Sequence, residues 1–310
     1  MTAIKRVGRR AVRLSNPEKL LWPRDGITKA ALVDYYEAAA PAMLPHLRDR
    51  LMTLERYPDG VDREKFFSKE IPDYFPDWID RQTAAKKGGT VTHVVCNDRA
   101  TLVYLANQAC ITLHVGLSRT DRLDNPDQMI YDLDPSGEDF GVVRRTAIGL
   151  RELLEEVGLV AFVKTTGSKG LHVVVPLDRK SSFGIVRSFA RDVAMVVAGT
   201  DPERVTTEQR KNKRAGRLFV DSMRNAYGAT AVAPYSVRAS PGAPVAVPLH
   251  WDEVEEAGLR PDAFSLQAAI ERATAAPDPW RGWRRRARSL KRARAALDDL
   301  TRAQDKRRTS

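Results

Sequence analysis

Cysteine is almost absent: Cys96 and Cys110 are the only two in 310 residues. That excludes a disulfide framework, and the pair has no zinc-site spacing, so both read as reduced, partly buried thiols. No apolar run approaches the ~20 residues that cross a bilayer as a helix. The opening residues, MTAIKRVGRR, contain no apolar signal segment. These absences predict a cytosolic protein with no membrane partner.

Negative charge is scarce in one region. Residues 281–310 hold twelve Lys/Arg against three Asp/Glu, which is +9 of the chain's +11. The first 280 residues are nearly balanced. A basic tail suits a polyanion, because neutralised phosphates release counterions. A solvated helix carries the same composition.

Periodicity predicts mixed α/β architecture. Residues 13–24 read as a strand and turn, broken by Pro17 and Pro23. Thr28 caps a helix through about Leu44. Residues 50–57 look extended, 58–90 show no sustained period, and 91–96 form a short strand. Residues 99–115 form an apolar helical stretch. Then come strand 127–134, helix 139–157, strand 160–165, a Gly-Ser-Lys-Gly turn and strand 171–176. Helix 182–199, a basic loop, strand 218–221 and helix 262–274 follow.

Within Tyr131-Asp-Leu-Asp-Pro, Asp132 and Asp134 share one strand face, since residues i and i+2 do. Paired carboxylates repel unless a cation joins them, and hard oxygen ligands suit Mg²⁺ or Mn²⁺. An Asp-x-Asp at a strand end is also a common turn. Asp221 ends the apolar run Arg-Leu-Phe-Val-Asp. If its strand lies beside 129–134, three carboxylates meet and two metals roughly 3.5–4 Å apart fit between them. Residues 165–172, Thr-Thr-Gly-Ser-Lys-Gly-Leu-His, offer two glycines, the hydroxyls of Thr166 and Ser168, the Lys169 cation and His172. That chemistry suits a triphosphate, without Walker A spacing. An ordinary hairpin turn is the plainer reading. Arg238, in Pro-Tyr-Ser-Val-Arg, is a further phosphate candidate.

DLDP, then T-G-S-K-G-L-H, then FVD and APYSVR, in this order, resemble the polymerase domain of bacterial ligase D, a member of the archaeo-eukaryotic primase superfamily. SNPEKLLWP…TK, ERYPDGV…FF and LHV extend the resemblance over roughly residues 10–275. It implies the primase-polymerase fold, with an N-terminal DNA-facing part (about 1–120), a catalytic part (about 121–280) and the basic tail 281–310. It implies that Asp132, Asp134 and Asp221 bind two divalent metals, with Mn²⁺ preferred. Arg56, His114, Thr166, Ser168, Lys169, His172 and Arg238 would surround the nucleoside triphosphate; the family usually has Ser where Thr166 stands. Asn16, Lys19 and Lys29 would hold a DNA 5′-phosphate, and Phe66 and Phe67 would meet the template.

The implied activity is template-dependent nucleotide addition at short gaps or broken DNA ends, ribonucleotides preferred, in the nucleoid. A ligase and an end-binding protein are the implied partners. A non-catalytic 5′-phosphate-binding module and a primer-independent primase are the alternatives. No K-x-D-G adenylation motif occurs and the sequence stops at Ser310. The expectation is a stand-alone protein or an excised piece of a fusion, and the tail favours the former.

Overall fold

The structure, a computed structural model, describes residues 2–309 apart from 138, 276 and 277. In chain order it begins with β1 (Thr2–Val7), β2 (Arg10–Ser15), β3 (Leu20–Trp22), β4 (Ile27–Thr28), α1 (Lys29–Leu47), β5 (Met52–Arg56) and β6 (Phe66–Ser68). Next are β7 (Arg81–Lys86), β8 (Gly89–Val94), α2 (Arg99–Asn107), β9 (Cys110–Gly116), β10 (Gln128–Asp134), α3 (Phe140–Glu156), β11 (Phe162–Thr165) and β12 (Leu171–Pro176). Last are α4 (Phe183–Thr200), β13 (Val205–Thr206), β14 (Leu218–Asp221), β15 (Thr230–Val232), β16 (Pro248–Leu249), α5 (Trp251–Glu255), α6 (Leu266–Thr274) and α7 (Leu290–Thr309).

Two sheets carry the fold. One has six strands in the order β13-β14-β10-β12-β11-β16, antiparallel except for β13 with β14. Period-2 alternation assigns its faces. Met129, Tyr131, Leu133, Leu171, Val173, Leu218 and Val220 belong to the main core, where α3 and α4 pack. The intervening residues, among them Asp132, His172, Lys164 and Asp221, face the other way. The second sheet has the order β15-β9-β5-β6. Its Met52, Leu54, Leu113 and Val115 join the same core with residues of α1 and α2, while Thr53, Glu55 and His114 take the opposite face.

Most elements follow the sequence pattern. Thr28 caps α1, accepting from the Ala31 N–H at 3.2 Å. The stretch 99–115 departs from it: α2 stops at Asn107, Ala109 turns with φ +54, and β9 begins at Cys110. Strand β9 lies between β15 and β5 and is buried along nearly its whole length. An apolar strand that follows an apolar helix without Gly or Pro between them has the composition of one long helix. The segment 58–90, which shows no sustained period in the sequence, contains β6 and the first strand of the β7–β8 hairpin, which turns between Lys86 and Gly89. Helix α6 starts later than expected, capped by Ser265. No helix among the described residues is long and apolar enough to cross a membrane.

The tail is partly packed. Trp280 and Trp283 are buried, with the Trp280 indole N–H donating to the Val163 carbonyl at 2.9 Å. Leu290, Ala293 and Leu297 continue the burial along α7, and Arg294 pairs with Asp192 at 2.7 Å. The side chains of 304–310, with the last three basic residues of the expected DNA-binding tail, lie outside the described residues.

His46 sits against both tryptophan rings, at centroid distances of 5.4 and 5.9 Å. Burial, with Arg50, Arg284, Arg119 and Lys164 nearby, pulls its pKa down to about 3. Below the ordinary histidine value of 6.5 the unfolded chain therefore takes up a proton that the folded chain refuses. Stability falls as pH drops from 6.5 towards 3. His46→Phe, which keeps an aromatic ring there, is expected to gain on the parent by on the order of 2 kcal/mol between pH 8 and pH 5. Urea melts at the two pH values measure it; an equal difference at both would refute the assignment.

Candidate active site

The register of the six-stranded sheet sets the site. Asp132 lies directly opposite Asp221 on β14 and opposite His172 on β12, and His172 lies opposite Lys164 on β11. Directly opposed residues project to the same face, so these four form a row across four strands. Asp134 joins that face two residues along.

Two arginines hold the carboxylates. Arg224 Nε donates to Asp132 Oδ2 at 2.8 Å, and Arg214 Nη1 donates to Asp134 Oδ2 at 3.0 Å. Arg214 is itself fixed by the Glu208 and Gln209 carbonyls and lies 4.0 Å from the Phe219 ring centre. His172 Nε2 is 3.4 Å from Asp132 Oδ1. Burial alone would raise the Asp132 carboxyl; His172 and Arg224 outweigh it and hold it well below the carboxylate range. Asp221 goes the other way, raised by burial and by the charges of Asp132 and Asp134, although it accepts the Met223 N–H at 2.7 Å. Burial pushes Lys164 down to about 7 and His172 to about 4.

An all-oxygen set whose members repel one another suits a hard divalent cation. Asp221 shows that repulsion. Among the described residues, however, no three His, Cys, Asp or Glu side chains are gathered around a point that would hold a metal. The guanidinium groups of Arg214 and Arg224 supply the balancing charge.

The turn joining β11 to β12 is built tightly. Gly167 has φ +65, and Thr166 Oγ1 accepts the Ser168 and Gly170 N–H groups at 3.3 and 3.1 Å while donating to the Gly170 carbonyl at 3.0 Å. The Thr166 hydroxyl is thus engaged inside the turn, which is a shaping role beside the expected ligand contact. A Cβ on Gly170 would fall 1.9 Å from the Leu133 carbonyl oxygen, so only glycine lets the turn lie against β10.

Asp132, Asp134, Asp221, His114, Thr166, Ser168, Lys169, His172 and Arg238 all line one cavity of about 260 Å³. Lys169 is exposed, and neither its ammonium nor the Arg238 guanidinium makes a hydrogen bond or ion pair among the described residues. His114 Nε2 is buried without a hydrogen-bond partner among the described residues, 3.7 Å from Glu55 Oε2.

The remaining expected residues lie outside the lining. Arg56 donates to the Gln108 carbonyl at 3.2 Å and stacks 5.1 Å from the Phe66 ring centre. Phe66 and Phe67 are 45% and 57% exposed, and the Phe67 ring is 6.3 Å from His114. Asn16, Lys19 and Lys29 gather separately, at the start of α1. Asn16 has φ +46, the Lys29 N–H donates to the Lys19 carbonyl at 2.8 Å, and Lys29 Nζ reaches Ser15 Oγ at 3.1 Å. Lys19 Nζ pairs with Asp59 at 2.7 Å. Burial, and then the Lys19 charge, lower the Lys29 pKa.

Sequence reasoning missed Arg214, Arg224, Glu55 and Lys164. Strand alternation carries a signal for two of them: it puts Lys164 on the face of His172, and Glu55 on the face of Thr53.

Comparison with known proteins identifies the family. A family model described as "LigD, primase-polymerase domain" matches residues 28–280. The multifunctional non-homologous end joining protein LigD of Mycolicibacterium smegmatis is 38% identical over 253 residues, 80% of this chain and 33% of that protein. The bifunctional LigD of Bacillus subtilis is 33% identical over 257 residues, 82% of this chain and 41% of that protein. The chain thus spans a third to two fifths of these relatives. The polymerase domain of Mycobacterium tuberculosis ligase D, solved in complex with DNA, superposes with a TM-score of 0.83 at 33% identity, covering 89% of this chain and 99% of that one. With the match extending from the cap of α1 to Trp280, across both sheets and the cavity between them, the chain belongs to the LigD primase-polymerase domain family.

Proposed function

We propose that the protein is a template-dependent nucleotidyltransferase that fills short gaps and extends DNA ends during end joining. The observation that carries this is one cavity with three carboxylates on one wall and two uncommitted cations, Lys169 and Arg238, on another. Two bound divalent metals, Mn²⁺ or Mg²⁺, would activate the primer hydroxyl and neutralise triphosphate charge. Asp132, Asp134 and Asp221 are the residues to hold them, after releasing Arg214 and Arg224. Lys169 and Arg238 bind the triphosphate and balance the charge on the leaving pyrophosphate. Thr166 and Gly170 hold Lys169 in place through the turn. Ser168, His114 and His172 complete the nucleotide's surroundings, and Arg56 braces Phe66, which with Phe67 offers a stacking surface to the template.

Ribonucleotide preference follows from the family resemblance, and competition between the two nucleotide sets tests it. A ligase and an end-binding protein are the proposed partners. The arginine-bound carboxylates would also suit a non-catalytic end-binding module, which predicts DNA binding without metal-dependent incorporation.

An extension assay on gapped DNA, with and without a downstream 5′-phosphate, separates these readings. Lys29→Ala and Lys19→Ala are expected to weaken binding to phosphorylated gaps by about 1–3 kcal/mol each. Lys19 has the smaller effect, because Asp59 already holds it. Equal losses on unphosphorylated DNA would reduce both to general backbone contacts.

A further inference from the structure

A cavity of about 530 Å³ lies beside the candidate active site and takes no part in the scheme above. Gly116 and Thr230 line it, paired across β9 and β15. Two residues along the same strands, the pair His114 and Val232 lines the active-site cavity. Residues i and i+2 share a face and lie ~7 Å apart along a strand. The two cavities are therefore neighbours on one sheet face. Arg224 bridges them: it lines the first and donates to the Thr230 carbonyl in the wall of the second, at 3.3 Å.

The walls combine two chemistries. Leu51, Val91 and Leu117 make an apolar floor. Tyr227 adds an aromatic ring, held perpendicular to Phe183 at 5.7 Å and still 41% exposed. Lys69, Lys86 and Lys87 stand at the edge, exposed, and none makes an ion pair among the described residues. The Glu70 carboxylate that also lines the cavity accepts the Thr92 N–H at 3.1 Å. An apolar slot with one free aromatic ring and three unpaired ammonium groups matches a nucleobase flanked by phosphates. Stacking tolerates any base, because each has a π-face. The volume falls inside the roughly 300–1,000 Å³ of small-ligand sites. Lys69 also follows β6 directly, so a strand passing Phe66 and Phe67 meets it next.

We propose that this cavity takes an unpaired nucleobase from the single-stranded part of the template, stacked on Tyr227, with Lys69, Lys86 and Lys87 on the adjoining phosphates. This rests on the reading of the neighbouring site as template-directed. The cavity holds the template away from alternative pairings while the active site reads one base.

The fluorescent adenine analogue 2-aminopurine, placed singly at successive positions of a 5′ overhang, tests it. Binding the full protein is expected to change emission several-fold at one overhang position. Tyr227→Ala and Ala85→Trp, which fills the cavity from an exposed position, abolish that signal; Tyr227→Phe keeps it. Lys86→Glu with Lys87→Glu weakens binding to overhang DNA about tenfold and spares blunt duplex. The same response at every position, or an unchanged response in Tyr227→Ala, overturns the proposal. The readout needs no turnover, so extension is scored separately on the same templates. Extension with a flat signal removes the cavity's role alone; a position-specific signal without extension keeps the base site and removes the polymerase reading.

Discussion

Asp132→Asn is expected to lower nucleotide addition by roughly three orders of magnitude or more, with DNA affinity nearly unchanged. Asp132 stands at the centre of the row, opposed by Asp221 on one side and His172 on the other. The amide keeps the size and retains an oxygen for the Arg224 bond, so the fold is spared, but it removes the charge that a metal requires. Asp221→Asn is expected to lose comparable activity. It also relieves repulsion from Asp132 and Asp134, so this variant is expected to melt no lower than the parent. Primer extension in Mn²⁺, with calorimetric melting of each variant, measures both effects. Easily measured extension by Asp132→Asn would end the assignment.

Trp280→Ala should cost about 3–5 kcal/mol, since a large ring leaves a packed site and the Val163 carbonyl loses its donor. Trp280 is 2% exposed and touches His46, Phe162 and Trp283. The melting temperature should fall by on the order of 10 °C. The dependence of DNA affinity on salt should not move, because no cation is lost. An unchanged melting temperature would show that the indole is not an anchor. Deleting everything from Leu290 onward is the complementary measurement. Residues 290–310 carry seven Lys/Arg against three Asp/Glu, a net +4, and Arg294 is paired with Asp192, so the salt slope should flatten by less than those four net charges suggest.

Local pattern made the acidic cluster legible. Asp132 and Asp134 were placed by alternation in one strand, and Asp221 by the end of another. Their meeting depended on β10 and β14 being neighbours, which no local signal encodes. Arg214 and Arg224 escaped notice for the same reason: each reaches a carboxylate some 80 or 90 positions away. Glu55 stands in the sequence beside the more conspicuous Arg56, and the strand's alternation turns it towards His114. The boundary between α2 and β9 was invisible because Ala109 takes a left-handed turn that Gly or Asn would have advertised. For the tail, the composition is dominated by arginine, and nothing local says that Trp280 and Trp283 have a core to enter.

The row of Asp221, Asp132, His172 and Lys164 has a consequence for changes in chain length. Its members share a face only while each strand keeps its parity. Deleting one residue within β14 would turn Asp221 towards the helices and bring Val220 into the cavity. A deletion between β13 and β14, at 210–213, leaves that parity alone and spares Arg214 and the Glu208 and Gln209 carbonyls that fix it. A library of single-residue deletions should therefore lose activity throughout β10, β11, β12 and β14, even where the deleted residue is itself an ordinary valine, and retain it in connections that carry no residue of the cavity.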